Sequence, residues 1–344
     1  MAPKKTEEDL ALARVMSPVK PTLKTIAEIS GLAVPTVSRA LNDAPDIGAR
    51  TKILVRKIAD ELGYVPNRAG VRLRTGRTNV ISLVLSTEHD MMNHTARLIS
   101  AIAGEMQGTS FHMNITPYFP SDDPMKPIRY IVETRSADAV IMNQILPEDP
   151  RVAYLRERNF PFVTHGRTRW ADSHPYFDFD NTAFGRIGVE KLVMRGRRNI
   201  VMISPPRNQN YAQNMIDGGT GAARAAGCSM RVMQGTTSDN RNEDIQLGVA
   251  RHLAEFPETD GIVCSATAVA MAAVATLESL QHRLGEDVDV IAKEAVPFLT
   301  LFRPQMLTVH EDVARAGQFL AQAAIQAVRH PEKPPLQGLD VPTG

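Results

Sequence analysis

The strongest chemical signal in the sequence is a set of side chains spaced to share one face of a short helix: Val34, Pro35, Ser38 and Arg39. A helix from about 34 to 41 turns these residues outward and its other apolar residues inward. The guanidinium of Arg39 suits a guanine edge or a phosphate, whereas Val34 and Pro35 suit thymine methyl groups. The face therefore indicates recognition of double-stranded DNA through the major groove, although a plain helical hairpin would show the same local pattern.

Two neighbouring helices must position this face. The first is predicted to start at Thr22, a good N-terminal cap, and to end at Gly31, where the turn favours a left-handed backbone. The third is predicted from Asp46 to Leu62, with Leu54, Ile58 and Leu62 facing inward and Gly63 as its stop. Together the three helices form a helix-turn-helix core.

Charge is concentrated in the same part of the chain. Residues 20–77 contain eleven Lys or Arg against five Asp or Glu, a net of +6, although the whole chain is only +1. The first 19 residues are neutral, so residues 78–344 carry −5. A basic module on an acidic body is the layout expected when one part contacts phosphate and the other does not.

The segments TLKTIAEISGLAVPTVSRALN (22–42) and ADELGYVPNRAGVRLRTGRT (59–78) resemble the headpiece and hinge of the lactose-repressor (LacI/GalR) family of bacterial transcription regulators. One departure is Ala33, because that family usually has Ser or Thr there to cap the recognition helix. Losing the cap costs about 1 kcal/mol, and we expect Pro35 in the first helical turn to compensate in part by fixing φ.

The resemblance implies DNA contacts beyond the recognition helix. In the family, a leucine at the position of Leu73 inserts into a minor-groove step, and paired hinge helices bend the duplex. We expect residues 67–74 to be disordered without DNA and to fold on binding it. The predicted DNA-binding residues are Thr22, Leu23, Val34, Pro35, Thr36, Ser38, Arg39, Asn42, Tyr64, Asn67, Arg68 and Leu73.

Other classes of protein lack support in the sequence. No run of 18 apolar residues occurs and the N-terminus (MAPKKTEEDL) has no apolar signal core, so we expect a cytoplasmic protein without a membrane span. Cys228 and Cys264 are far apart and form no metal or disulfide motif, which favours two small core residues. Nucleotide-binding and hydrolase motifs are missing, so we expect no cofactor, no metal and no enzymatic activity.

From residue 79 onward, short apolar runs alternate with amphipathic helices. The alternation starts with a buried strand at 79–85 and ends with a helix at 312–328. This pattern predicts an α/β body of two doubly wound parallel sheets, arranged as two lobes. The segment DFDNTAFGRIGVEKLVMRGRRNIVMIS also resembles the family's periplasmic-binding-protein-like effector domain.

Such lobes bind small molecules in the crevice at the carboxyl ends of their strands. His165 and Arg167 follow a predicted strand at 162–164, and Lys293 and Glu294 follow one at 288–292, although either pair could instead lie at the solvated surface. Asp180 is expected to cap a helix. The predicted effector-binding residues are His165, Arg167, Asn210, Tyr211, Asn214, Ser265, Lys293 and Glu294.

The departures from the family in this pocket leave the charge of the effector open. Met215 stands where several members have an arginine that binds sugars, Ala266-Thr267 replaces a usual Asn-Asp, and Glu294 takes the place of an acidic residue that holds sugar hydroxyls. The added Lys293, together with His165 and Arg167, suits either an anionic sugar derivative or a neutral glycoside held by a Lys-Glu pair.

We therefore predict a ligand-responsive regulator, a repressor of a carbohydrate uptake or catabolism operon, that binds operator DNA as a homodimer. The alternative is a solute-binding or sugar-processing protein with an incidental helical N-terminus. The predicted segments are a flexible arm (1–20), a headpiece (21–65), a hinge (66–77), a body (78–337) and a tail (338–344). Within the body, one lobe takes 78–178 plus 306–330 and the other takes 179–305.

Overall fold

The computed structural model describes residues 20–65, 70, 72, 76–86, 94–119 and 122–343. The chain separates into two units, residues 1–78 and 79–344. Most of the predicted arm, and Asn67, Arg68 and Leu73 of the predicted hinge, lie outside the described residues. Among the described residues, the structure contains no helix with the length and apolar character needed to cross a bilayer.

The first unit contains the helices α1 (Leu23–Ser30), α2 (Val34–Leu41) and α3 (Ala49–Leu62). Thr22 caps α1 as predicted: its hydroxyl accepts a hydrogen bond from the backbone N–H of Thr25 at 3.3 Å, and its own N–H donates to the Thr25 hydroxyl at 3.1 Å. Gly31 and Gly63 end α1 and α3 with φ values of 69° and 62°, a left-handed backbone that glycine adopts without strain. These local predictions are confirmed.

The core of this unit corrects one residue of the prediction. α3 contributes Val55, Ile58 and Ala59 to the buried cluster, whereas Leu54, predicted to face inward, is 46% exposed. One residue is about 100° of helical rotation, so a stripe that includes 55, 58 and 59 turns position 54 away from the core. The helix also begins three residues later than predicted, because Gly48 is its N-cap.

The first lobe of the second unit is built on a parallel sheet with helices on both faces. Its elements are β1 (Val80–Ser86), α4 (Ala96–Glu105), β2 (His112–Tyr118), α5 (Met125–Thr134), β3 (Ala139–Met142), α6 (Pro150–Glu157), β4 (Phe162–His165), β5 (Tyr176–Phe179), α12 (Val313–Arg329) and β11 (Gln337–Asp340), with a 3-10 turn at Ala171–Ser173. The strand order is β11-β5-β4-β3-β1-β2.

The interior residues of this sheet alternate between two apolar clusters. On β1, Ile81 and Leu83 pack beneath α4 and α12, and Val84 packs beneath α5 and α6. Both faces are therefore covered, as the continuous apolar run predicted.

The second lobe is built on a second parallel sheet. Its elements are α7 (Asn181–Met194), β6 (Asn199–Ile203), α8 (Asn210–Ala225), β7 (Ser229–Val232), α9 (Asn242–Glu255), β8 (Gly261–Cys264), α10 (Thr267–Ser279), β9 (Asp289–Glu294), α11 (Leu299–Phe302) and β10 (Leu307–His310). The strand order is β10-β9-β8-β6-β7. One face of the sheet packs against α9 and α10, and the other packs against α7 and α8.

Three features of the body differ from the prediction. The strand at 307–310, assigned to the first lobe, pairs with β9 in the second sheet. The predicted tail includes most of strand β11, which pairs with β5, and neither strand was predicted. β9 runs two residues further than predicted, through Lys293 and Glu294. That extension decides which way those two side chains point.

Glycines allow α7 and α8 to pack at backbone distance. A Cβ placed on Gly185 of α7 would lie 2.1 Å from the carbonyl oxygen of Met215, and one on Gly218 of α8 would lie 2.0 Å from the carbonyl oxygen of Thr182. Any side chain at either position would force the helices apart. The two helices therefore form one tightly joined layer of the second lobe.

Candidate DNA-binding and effector-binding sites

The outer face of α2 presents the side chains that the sequence analysis assigned to base recognition. Val34, Pro35 and Arg39 are exposed, and Thr36 and Ser38 are partly exposed. Ala33 precedes the helix with an extended backbone (φ −68°, ψ 146°) and makes no side-chain cap, as expected from its methyl group. At the other end, the Asn42 side-chain amide donates to the Ser38 carbonyl at 2.6 Å and so closes the last turn.

Arg39 does not extend freely into solvent. Its Nη2 lies 2.6 Å from an Asp46 carboxylate oxygen in the loop between α2 and α3. Nearby, Asp43 forms ion pairs with Lys52 and Arg56 of α3. The loop between the helices therefore places acidic side chains beside the basic ones.

Three of the other predicted DNA contacts have a structural role. Leu23 and Tyr64 are half-buried against the apolar cluster of the headpiece, and burial raises the pKa of the Tyr64 hydroxyl. Thr22 is exposed and caps α1. Contacts from Asn67, Arg68 and Leu73 remain predictions, since these residues lie outside the described part of the chain.

In the second unit, a cavity of about 170 Å³ opens where the carboxyl ends of the two sheets meet. Residues at or just beyond the carboxyl ends of β1, β3, β4, β6 and β8 reach it, which is the location expected for a ligand site in parallel α/β lobes. The lining is polar and includes both lobes. Its polar and charged members are Ser86, His94, Thr95, Asn143, Gln144, His165, Asp178, Asn181, Tyr211, Ser238, Asp239, Ser265, Thr267, Lys293 and Glu311.

A buried ion pair lies at the centre of this lining. The Lys293 ammonium is 2.9 Å from a carboxylate oxygen of Glu311 and 3.4 Å from the side-chain oxygen of Asn181. Burial alone would raise the pKa of Glu311, but the charge of Lys293, helped by His94 and His165, holds that pKa far below its ordinary value. Glu311 is therefore ionised, and it neutralises Lys293 within the protein.

A second pair lies beside the first. Arg167 Nε donates to Asp178 at 2.7 Å. Burial raises the pKa of Asp178 to about 6, although Arg167 opposes the rise. His165 lies deep in the cleft, and burial, with the adjacent His94, lowers its pKa to about 4. At neutral pH the imidazole of His165 is therefore uncharged.

Three polar atoms of the cavity wall lack a partner. Among the described residues, the hydroxyls of Ser86 and Ser265 and the side-chain oxygen of Asn143 are buried without a hydrogen bond to protein. All three residues line the cavity and come from both lobes. Leaving such groups unpaired costs about 1–3 kcal/mol each, so the wall is built to exchange hydrogen bonds with a bound molecule.

Of the eight predicted effector residues, the structure brings His165, Tyr211, Ser265 and Lys293 to the cavity. Glu294 is the clearest error. It is buried, and its carboxylate accepts from the backbone N–H of Leu299 at 3.1 Å. Because β9 extends through both residues, Lys293 and Glu294 point to opposite faces. The Lys-Glu pair that the sequence analysis left open as an alternative does not form between these two residues. The partner of Lys293 is Glu311.

The other three residues lie behind the wall. Arg167 donates a hydrogen bond to Asp178, which lines the cavity. Asn210 joins the lobes: its backbone N–H donates to the Ile145 carbonyl at 3.0 Å, and its side-chain amide donates to the Arg167 carbonyl at 2.8 Å. Asn214 is half-buried on α8, outside the cavity lining. Asp180 caps α7 through Ala183, as predicted.

The sequence analysis missed His94, Asp178 and Glu311. Glu311 directly follows β10, so the rule that selected residues after parallel strands applied to it as well. Asp178 lies on β5, a strand that was not predicted, and His94 precedes a helix. Donor atoms of His94, His165 and Glu311 lie within 4.8 Å of one another, a spacing that a metal ion could use. Lys293 already supplies the positive charge at this carboxylate, so we assign no metal to the cluster.

These features define a class of protein: a helix-turn-helix unit joined to a two-lobed body with a cleft for a small molecule, which is the composition of a ligand-responsive DNA-binding regulator. Comparison with known families specifies it further. Residues 22–67 match the model of bacterial regulatory proteins of the lacI family, and residues 115–330 match that of periplasmic binding proteins and the sugar-binding domain of the LacI family. The chain belongs to the LacI family of bacterial transcription regulators.

Individual relatives are similar in sequence to this chain over nearly its whole length. The HTH-type transcriptional regulator AglR of Rhizobium meliloti is 29% identical over 88% of this chain and 85% of its own length. CelR of Thermobifida fusca is 24% identical over 90% and 92%. Among solved structures, a CelR–cellobiose complex covers 94% of this chain and 98% of its own with a TM-score of 0.70 at 22% identity. A lac repressor dimer bound to operator and the anti-inducer ONPF covers 94% and 97% with a TM-score of 0.80 at 18% identity.

Proposed function

We propose that the protein is a cytoplasmic repressor of an operon for carbohydrate uptake or catabolism, that it binds a pseudo-palindromic operator as a homodimer, and that a neutral sugar bound between its lobes changes its affinity for that operator. The observation that carries the choice of ligand is the set of unpaired polar atoms on Ser86, Asn143 and Ser265. Sugar hydroxyls both donate and accept, so one ligand can satisfy all of them.

Charge supports a neutral ligand over an anionic one. Among the described residues, the Lys and Arg side chains at or next to the cavity are already neutralised, Lys293 by Glu311 at 2.9 Å and Arg167 by Asp178 at 2.7 Å. His165 is uncharged at neutral pH because its pKa is lowered to about 4. The cavity also contains Asp239. A carboxylate or phosphate on the ligand would enter without a cation to receive it, at a large desolvation cost.

The similar structures support both parts of the proposal. One is described as a complex of CelR with cellobiose, a neutral disaccharide, and another as a repressor dimer on its operator. A dimer also follows from the size of one headpiece, since a single recognition helix buries too little surface for specific binding. We further propose that the body binds its effector without converting it.

Closure of the lobes provides the link from the cleft to DNA. The cavity takes residues from both lobes, and the two hydrogen bonds of Asn210 cross between them. A ligand that contacts both walls binds the closed arrangement more tightly than an open one. This differential affinity is what can alter how two copies pack and therefore how their hinges meet DNA.

The test is a thermal-shift screen of the full-length protein with neutral mono- and disaccharides against the matching uronic and phosphorylated sugars. A ligand at 100 times its Kd adds about 2.7 kcal/mol of stability, so a neutral sugar that raises the Tm should also change operator binding in fluorescence anisotropy. Ser265→Ala should weaken the response, while Ser173→Ala, an exposed serine outside this cavity, should not. Stabilisation by the charged sugars alone would contradict the proposal.

Recovery of the bound sugar tests the absence of conversion. After a long incubation with the protein, chromatography should return the neutral sugar unchanged and in full. Formation of a new product in proportion to protein concentration would show instead that the body is an enzyme.

A further inference from the structure

The ion pair between Arg39 and Asp46 differs from the other ion pairs of the headpiece in its location. Arg39 lies on the outer face of the recognition helix α2, and its Nη2 is 2.6 Å from Asp46 Oδ1, whereas the cations of the other described pairs, Lys52, Arg56 and Lys57, lie on α3. Both side chains are open to solvent, at 59% and 47% exposure. The pair is therefore located where DNA would approach α2.

Asp46 does not serve the fold in the way that its neighbour does. Asp43 holds Lys52 and Arg56, both on α3, and so fastens the loop to that helix. The N-cap of α3 is Gly48, two residues after Asp46, and its backbone carbonyl accepts from Lys52 N–H at 3.1 Å. The Asp46 side chain instead contacts Arg39, the long donor of the recognition face.

We propose that Asp46 is a specificity-determining residue of the DNA-binding surface. It holds the Arg39 guanidinium in position to contact a base edge and keeps it away from the phosphate backbone. A guanidinium has five N–H donors in a rigid plane. With Nη2 engaged by Asp46, that plane is fixed while its remaining donors stay available for a guanine. The carboxylate also repels the phosphates to which a free arginine would otherwise turn.

The effect falls unequally on the two kinds of DNA binding. Non-specific binding is almost entirely phosphate attraction, so both the repulsion by Asp46 and its hold on Arg39 weaken it. Specific binding gains from an arginine whose side-chain entropy is already reduced before the complex forms. Asp46 therefore raises the ratio of specific to non-specific affinity. An exposed ion pair changes an equilibrium by at most about fivefold, which sets the size of the expected effect.

The experiment compares Asp46→Asn with Asp60→Asn in the full-length protein. Both variants remove one negative charge from an exposed position of the headpiece, but Asp60 lies on α3 and is not the partner of Arg39. Fluorescence anisotropy on operator and on scrambled duplex at several salt concentrations gives both affinities and their salt slopes. Because the family places this protein on operator DNA, the measurement does not depend on the identity of the effector.

For Asp46→Asn we expect non-specific affinity to rise about threefold more than for Asp60→Asn, in line with one exposed ion pair. The salt slope on scrambled DNA should steepen by about 0.9, the value for one additional phosphate contact. The ratio of specific to non-specific affinity should fall. Equal changes in the two variants would show that only net charge matters and would overturn the proposal.

The double variant Arg39→Ala/Asp46→Asn separates the hold on Arg39 from a direct effect of the carboxylate. Without Arg39, the Asp46→Asn change should no longer lower the specificity ratio beyond the Asp60→Asn control. If the full loss of specificity persisted in the double variant, Asp46 would act on DNA without Arg39 and the assignment would be wrong. Asp46→Glu, which keeps the charge and can reach Arg39, should retain at least half of the wild-type ratio.

Discussion

The headpiece and the body use the same charged residue types in opposite environments. In the headpiece, the pair of Arg39 with Asp46 is exposed at 59% and 47%. In the body, Lys293 and Glu311 retain only 13% and 6% exposure. An exposed pair contributes about 0–1 kcal/mol, whereas removing one partner of a buried pair costs about 3–5 kcal/mol. The exposed pair can therefore adjust how the headpiece selects DNA with little effect on stability, whereas the buried pair stabilises the walls of the cleft.

The sharpest test of this contrast is Lys293→Ala. The substitution leaves the Glu311 carboxylate buried without its ammonium partner, with only the imidazole of His94 beside it among the described ion pairs. We therefore expect a loss of about 3–5 kcal/mol in the free energy of unfolding, measured by urea denaturation. The exposed pair of Arg186 and Glu190 on α7 gives the matched control, since Arg186→Ala should cost less than about 1 kcal/mol.

Lys293→Met combined with Glu311→Gln tests the functional side of the same prediction, because it removes both charges together. The double variant should recover most of the stability and still fail to respond to the effector, while binding operator normally without ligand. A normal effector response would place Lys293 outside the ligand contacts.

Acid titration of Asp178→Asn tests the buried charges in a second way. The raised pKa of Asp178, about 6, adds stability below pH 4 that is lost as the pH rises through 6. The lowered pKa of His165, about 4, adds stability above pH 6.5 that is lost as the pH falls through 4. The two oppose each other in the wild type. Without Asp178, stability should fall between pH 6.5 and 4 by about 3 kcal/mol more than in the wild type. Parallel curves for the two proteins would contradict this.

Arg39→Ala addresses the exposed side of the comparison. We expect operator affinity to fall by about 1–3 kcal/mol at fixed salt, with no change in the unfolding of the body. Lys57→Ala is the control, since it removes an exposed positive charge from α3 that is paired with Glu61. Unchanged operator affinity in Arg39→Ala would remove this residue from base recognition.

The smallest expected effect is that of Ala33→Ser. The backbone at Ala33 is already extended, as an N-cap requires, and only the side-chain acceptor is missing. A serine there should stabilise the headpiece by about 1 kcal/mol, seen as a higher midpoint in its thermal unfolding. Ala33→Val, which supplies bulk without an acceptor, should give no gain.

Local patterns predicted most of the fold because local forces decide it. Thr22, Gly31 and Gly63 begin or end helices through contacts within four residues, and the alternating apolar segments were found nearly at their observed bounds. Errors arose where a shift of one or two residues changes the face to which a side chain points. Leu54 and Val55 exchange faces with one step of a helix, and Lys293 and Glu294 exchange faces because β9 continues two residues further than expected.

The centre of the cleft could be predicted only in part, because its contacts join distant segments. Lys293 was selected from its place at the end of a strand, but spacing does not show that its partner is Glu311, the residue directly after the next strand of the sheet. Asp178 was missed with β5, a four-residue strand whose neighbour β11 comes from the far end of the chain. Pairings of this kind depend on which distant segments the folded chain brings together, and no periodic pattern in the sequence indicates them.

The backbone contact between α7 and α8 has a consequence for how a signal leaves the cleft. Asn181 begins α7 and Tyr211 lies in the first turn of α8, and both line the cavity. Because Gly185 and Gly218 leave no gap between the helices, neither can tilt or slide without the other. A ligand that pulls on Tyr211 therefore moves Asn181 and the sheet beneath it as one rigid body. The response to the effector is then a movement of the whole second lobe relative to the first, and a bulkier residue at position 185 would decouple ligand binding from that movement.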